Sequence, residues 1–255
     1  MSKFVGFFFA LVVLQLSLAQ DPENEEDTRI VNGQQARSGQ FPWMVGVHGL
    51  GDNGQWEFWR CGGALISRNL VLTAEHCVDA KPRAYRITLG STLAGDRQDG
   101  DGKTIRFADL IIKHGDALIL RLSQSVSFNS KIQPVRLPGP NDYVGSDVDV
   151  TVSGWGGTGN GLSEKLLYTT LGTITNAKCS EWYGTLKNDV LCYVNQHSTT
   201  CGGDSGSPVV RYTNAGAVHV GIHNAGVCKV GSPSLATRTA SHVDWINSEI
   251  RRHSS

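Results

Sequence analysis

From residue 41 onward the chain is built of short apolar runs, many with Gly, Asn, Asp or Pro at their ends. The runs are FPWMVGVHG (41–49), GGALISRNLVLTA (62–74), YRITLG (85–90), IRFADLIIK (105–113), DALILRL (116–122), DVTVSGWG (149–156), YTTLGTI (168–174), SPVVRYT (207–213) and VHVGIHN (218–224). Alternation or short continuous burial between turn residues predicts strands. No heptad repeat and no regular strand–helix alternation interrupts them. Only HVDWINSEIRRH (242–253) has helical spacing, with Val243, Ile246 and Ile250 on one face. The pattern predicts an all-β protein with a short C-terminal α-helix.

The N-terminus differs in kind. Residues 4–19, FVGFFFALVVLQLSLA, follow one lysine and end in small residues, which predicts a signal peptide over 1–19. No second stretch is apolar enough to span a bilayer, so a secreted, soluble mature chain with no membrane contact is expected. The polar segment QDPENEEDTR (20–29) carries five acids and ends in Arg29, which reads as an activation propeptide. Without these 29 residues the chain has 21 basic and 18 acidic residues, a formal charge of +3. That charge is small and dispersed, which argues against nucleic acid as a partner. Six cysteines, all after residue 60, suit an oxidising compartment. No CxxC spacing supports zinc, and residue spacing alone leaves the disulfide pairing open.

The chemistry concentrates in CGGDSGSPVV (201–210). A serine hydroxyl is a weak nucleophile unless a base takes its proton and donors stabilise the oxyanion. Glycines around Ser205 permit a bend in which the N–H groups of Gly203 and Ser205 point at one oxygen. Asp204 needs a cation, because an unpaired buried carboxylate is costly. A base is at hand in His76 of VLTAEHC (71–77), and an orienting acid in Asp116 of HGDALILRL (114–122). Asp109 is its only nearby rival.

With RIVNG (29–33), CGGALIS (61–67) and SGWG (153–156), these motifs make the chain resemble the chymotrypsin-fold serine proteases, from Arg29 to about Trp245. The resemblance implies two packed six-stranded antiparallel β-barrels, about 30–140 and 141–242, with the cleft between them. It implies that Ser205 attacks the peptide carbonyl, His76 moves the proton and Asp116 holds the imidazole. Cleavage after Arg29 by a trypsin-like protease would free the Ile30 amine to pair with Asp204. The implied disulfides are Cys61–Cys77, Cys179–Cys192 and Cys201–Cys228. Thr199 stands where trypsin-like relatives carry an aspartate, and Gly226, Ser234 and Ala236 fall on the pocket walls. A neutral, roomy pocket is therefore expected, favouring large apolar P1 residues, with elastase-like or broad collagenase-like cleavage as the alternative. Asn224, Ala225 and Gly226 would pair with an extended substrate.

Three departures stand out. Gly115 alone separates His114 from Asp116, Glu75 precedes His76, and Ala225 replaces a tryptophan of the family. These keep a second class open, an impaired homologue that binds proteins through the same cleft. Asp96, Asp99 and Asp101 offer oxygen ligands, but Ser91 stands where calcium-binding relatives place a glutamate, so no metal and no cofactor are expected. A monomeric, digestive endopeptidase acting on polypeptides and subject to protein inhibitors is the leading expectation.

Overall fold

The computed structural model describes residues 30–51, 61–78, 84–94, 103–157 and 161–253. The signal peptide, the propeptide with Arg29, and the acidic segment with Asp96, Asp99 and Asp101 lie outside the described residues. Among the described residues there are thirteen strands, twelve of which form two antiparallel barrels of six. After β1 (Gln34–Gln35), the first contains β2 (Met44–Gly49), β3 (Cys61–Leu65), β4 (Leu70–Ala74), β5 (Tyr85–Leu89), β6 (Thr104–His114) and β7 (Ala117–Leu122). These close in the order β2-β3-β4-β7-β6-β5.

The second barrel contains β8 (Asp149–Gly154), β9 (Leu167–Ile174), β10 (Val190–Val194), β11 (Pro208–Thr213), β12 (Gly216–Ala225) and β13 (Ser234–Arg238). Its order is β9-β10-β13-β12-β11-β8, and β8 pairs back onto β9 to close it. β1 adds to the outside of β9 through Gln34↔Tyr168 and Gln35↔Leu167. The stretch just after Arg29, grouped with the first barrel from the sequence, thus rests on the second.

The apolar runs find their burial in these barrels. Val45, Leu72, Ile87, Leu118 and Leu120 are fully buried in the first core, and Val152, Leu171, Leu191 and Val209 are buried in the second. The C-terminal helix, α2 (Val243–His253), carries Ile246 and Ile250 back onto the first core, although it follows the last strand of the second. Asn69 Nδ2 also donates to His253 O at 2.9 Å, so the chain end clamps the two barrels together.

A second helix, α1 (Asn176–Tyr183), was not expected from the sequence. Thr175 caps it by accepting from the Lys178 N–H at 3.2 Å, and Gly184, at φ 71°, ends it. Cys179 is its sole buried residue, so it has no apolar stripe for periodicity to reveal. Because Leu72 is fully buried on the strand leading to His76, Leu72→Ala should lower unfolding stability by about 2–5 kcal/mol. Urea denaturation should show a lower midpoint with an unchanged slope.

Candidate active site

Ser205 sits on the bend between Cys201 and β11, and His76 on a single 3-10 turn, Glu75–Cys77, that ends β4. Two contacts bring these segments together across the barrels. The Gly62 N–H donates to Ser205 O at 2.8 Å, tying the bend to β3. Gly206, at φ 76°, lies so close to the His76 turn that a Cβ there would collide with Thr73 Oγ1 and fall 3.1 Å from Cys77 Sγ. A side chain at residue 206 would push the two candidate groups apart, which gives the glycine its physical reason.

Asp116 reaches the same junction through the main chain. β7 pairs with β4 up to Ala74↔Ala117, and the Glu75 N–H donates to Asp116 O at 3.0 Å. Its carboxylate is exposed, with 55% of the side chain accessible, and its nearest ion partner is Lys187 Nζ at 3.9 Å. No hydrogen bond joins the side chains of His76, Asp116 and Ser205 among the described residues. The one-residue approach through Gly115 builds no wall over Asp116. The rival Asp109 is committed elsewhere, accepting two hydrogen bonds from Arg121 at 2.9 and 3.1 Å. Glu75 does not face His76: its carboxylate pairs with Lys113 Nζ on β6 at 2.5 Å.

The bend around Ser205 is held from below by Asp204, which has no solvent exposure. Its Oδ1 accepts from the Gly156 N–H at 2.8 Å and its Oδ2 from the Cys201 N–H at 2.9 Å. Gly154 and Gly156 pack so closely on this carboxylate that a Cβ at either would collide with it. Burial pushes its pKa up to about 6 against the pull of those two donors, and no cation pairs with it among the described residues. Ile30 is itself fully buried, and Val31 bridges to Thr199, whose N–H donates to Val31 O at 3.2 Å. Val31 is thus seated on Thr199, six residues before Ser205. The N–H groups of Gly203 and Ser205 have no acceptor among the described residues. Two unengaged donors beside a serine are what a developing oxyanion requires.

Three disulfides close, Cys61–Cys77, Cys179–Cys192 and Cys201–Cys228, the pairs that the resemblance implied. The first fixes the His76 turn to β3 and the third ties the Ser205 bend to the loop after β12. Ligand atoms of Cys61, His76 and Cys77 converge within 4.8 Å, but both sulfurs belong to the disulfide and offer no thiolate to a metal.

The residues expected on the pocket walls, Thr199, Gly226, Ser234 and Ala236, are all uncharged. Thr199 is buried, and Thr200 Oγ1 meets Ser234 Oγ at 2.7 Å. Gly226, expected to leave a wide mouth, lies against this pair: a Cβ there would be 2.7 Å from Thr200 Oγ1 and 3.0 Å from Ser234 Oγ. Ala236 is buried, paired in register with Leu191 of neighbouring β10, while fully buried Tyr193 of the same strand pairs with Ser234. Asn224 Nδ2 donates to Thr237 Oγ1 at 2.5 Å, while Ala225 is exposed at the rim. The sequence reading passed over Thr200, Tyr193 and His223. A histidine inside the apolar run VHVGIHN, beside the substrate-pairing Asn224, was the available signal.

Burial gives the stability of this uncut chain a definite pH dependence. It pushes the pKa values of His219 and His223 down to about 3, so each supports folding fully above about pH 6.5 and loses that support as pH falls. Asp204 acts oppositely: its raised pKa favours the folded state below about pH 4, and this is lost as pH rises through 6. Two histidines against one carboxylate give a net loss of roughly 1.4 kcal/mol per pH unit between pH 6 and 4. Urea unfolding of the Arg29→Gln chain should show it, and stability that rises toward pH 4 would refute it. Gly206→Ala should cost about 1–3 kcal/mol or more, seen as a lowered urea midpoint.

The family model described as Trypsin matches residues 30–246. Chymotrypsin-like elastase family member 1 of Macaca fascicularis is 32% identical over 95% of this chain and 97% of its own length. Proproteinase E of Bos taurus is 28% identical over 90% of this chain and 98% of its own. The solved structure of human heparin binding protein superposes with a TM-score of 0.73 at 24% identity, over 86% of this chain and 95% of that one, a likeness of fold. The chain belongs to the trypsin family of serine endopeptidases, hydrolases of peptide bonds.

Proposed function

We propose that the protein is a secreted endopeptidase made as a zymogen, with Ser205 as nucleophile, His76 as general base and then acid, and Asp116 as the group that orients His76. The observation that carries this reading is the junction at Gly206, where the Ser205 bend packs directly on the His76 turn beside two unengaged N–H donors. Attack by Ser205 Oγ on a peptide carbonyl passes its proton to His76. The oxyanion takes the N–H groups of Gly203 and Ser205, and His76 returns the proton to the leaving amine. Water then repeats the sequence on the acyl-enzyme.

Activation follows from Asp204. A carboxylate buried without a cation favours any change that supplies one. Cutting after Arg29 creates an ammonium on Ile30, a residue already buried and tied through Val31 to Thr199. Three disulfides suit an extracellular setting, and the absence of an acid at Thr199 disfavours Arg or Lys at P1. Exposed Asp116 orients His76 from the open side of the cleft, so substrates need not thread past a loop to reach the non-prime subsites.

A fluorophosphonate probe tests the proposal. Labelling should require cleavage after Arg29 and vanish in Ser205→Ala; an unlabelled protein after verified cleavage would refute the enzyme reading. Asp116→Asn should retain labelling but lower kcat on peptide substrates by roughly 10²–10⁴-fold. An unchanged kcat would remove Asp116 from the machinery.

A further inference from the structure

We propose that the protein has a second peptide site, a cavity where the ends of β10 and β13 meet. It captures a C-terminal carboxylate with Arg238 and Lys187, while Asp189 accepts the last peptide N–H. Among the described residues, none from the Ser205 bend or the His76 turn lines this cavity, so the site stands whether or not Ser205 is the nucleophile.

The walls come from four stretches of chain: Tyr143 and Val144 before β8, Lys187 and Asp189 between α1 and β10, Arg238 at the end of β13, and Ser241 before α2. They bound about 670 Å³, within the roughly 300–1,000 Å³ of pockets that hold small ligands. β10 and β13 pair through Val190↔Thr237, and one step further out the Arg238 N–H donates to Asp189 O at 2.6 Å. Cross-strand partners share a face, so the Asp189 and Arg238 side chains leave the sheet on the same side.

Those two side chains do not pair with each other. Arg238 Nε donates to Val190 O and Nη1 to Val144 O, each at 2.8 Å. These bonds fix the guanidinium and leave the other donors of its fork unengaged. No carboxylate meets it among the described residues, and burial lowers its pKa, as for a cation that has lost water without gaining a counter-ion. Asp189 is the reverse case, with Oδ1 buried and without a hydrogen-bond partner. Lys187 adds a movable second cation: its side chain is 76% exposed and reaches Asp116 Oδ2 only at 3.9 Å.

A fixed guanidinium lacking an anion, beside a carboxylate lacking a donor, separates ligand classes. An inorganic anion or a polyanion answers Arg238 but confronts Asp189. A cation answers Asp189 but confronts Arg238 and Lys187, and an apolar molecule answers none of them. The last residue of a peptide carries a carboxylate and an amide N–H side by side. Its carboxylate takes a forked, charge-assisted bond from Arg238 with Lys187 as the second charge, and its N–H donates to Asp189. The exposed Tyr143 ring offers a flat apolar face to the terminal side chain. Peptide-bond hydrolysis, the reaction of the family, creates such termini, so cleavage products are a ready source of the ligand.

The test uses the full chain carrying Arg29→Gln and Ser205→Ala, which is neither activated nor able to cut. Fluorescent tetrapeptides ending in phenylalanine are titrated and followed by polarisation. The free acid should bind at least about tenfold more tightly than its C-terminal amide. N-methylation of the last residue, which deletes the donor, should weaken the acid roughly three- to tenfold. A peptide amide ending in glutamate, with its carboxylate moved to the side chain, should bind no better than the phenylalanine amide. Lys187→Gln should weaken the acid by roughly twofold to fivefold and leave the amide unchanged. Arg238→Lys keeps the charge but loses the fork and should weaken the acid about tenfold. Should that variant fail to fold, the exposed Lys187 and the peptide series decide. An amide that binds as tightly as the acid overturns the proposal, as does no binding of the acid up to about 1 mM. Equal binding of the glutamate amide overturns the terminal carboxylate, and an unaltered affinity in Lys187→Gln overturns the placement in this cavity. Affinity unchanged by N-methylation overturns the role of Asp189.

Discussion

A carboxylate sealed inside a β-barrel has to be answered, and the site in this protein is arranged around Asp204. Two backbone N–H groups, from Gly156 and Cys201, hold it in place. They do not neutralise it, and burial raises its pKa to about 6. The glycines at 154 and 156 exist in contact with its oxygens, and Cys201 is fixed through its disulfide to Cys228. One buried charge thereby governs the SGWG turn, the bend that carries Ser205 and the loop that follows β12. Burial, reinforced by the same charge, keeps Tyr193 protonated, and Tyr193 in turn donates to His223 Nδ1.

Against the second barrel, the first contributes the platform that carries His76. β3, β4 and the Cys61–Cys77 disulfide position His76, and the Gly62–Ser205 and Gly206–Thr73 contacts lock the platform to the nucleophile bend. Close packing tolerates no side chain at Gly206, so the geometry of the site is set by backbone approach. α2 reinforces the arrangement from behind by returning the chain end to the first core. The least enclosed partner is Asp116, positioned by its carbonyl while its carboxylate remains in solvent near Lys187.

The departures noted in the sequence take different meanings once they are placed. Glu75, which by proximity alone would act on His76, is paired with Lys113 on the far side of the strand. Gly226, which by size alone would open a mouth, lets the rim strand settle on Thr200 and Ser234. In both cases residue type was read correctly, and direction was what mattered. A sequence neighbour can point away, and a small residue can permit approach as easily as it leaves space.

The sequence by itself determined the all-β architecture, the chemistry-bearing motifs around Ser205, His76 and Asp116, and the C-terminal helix, because period-two burial, turn residues and an apolar helical stripe are local signals. It missed α1, whose stability comes from the Thr175 cap and the Cys179 disulfide and not from amphipathic spacing. Only the tertiary structure decided that residues 30–36 rest on the second barrel, that Asp204 has no cation beside it among the described residues, and that Tyr193, His223, Thr200 and Ser234 meet at one wall. Those facts depend on which strands become neighbours across long stretches of chain, as when β10 and β12 flank β13. Burial and hydrogen-bond satisfaction are properties of that three-dimensional neighbourhood, and no local pattern encodes them.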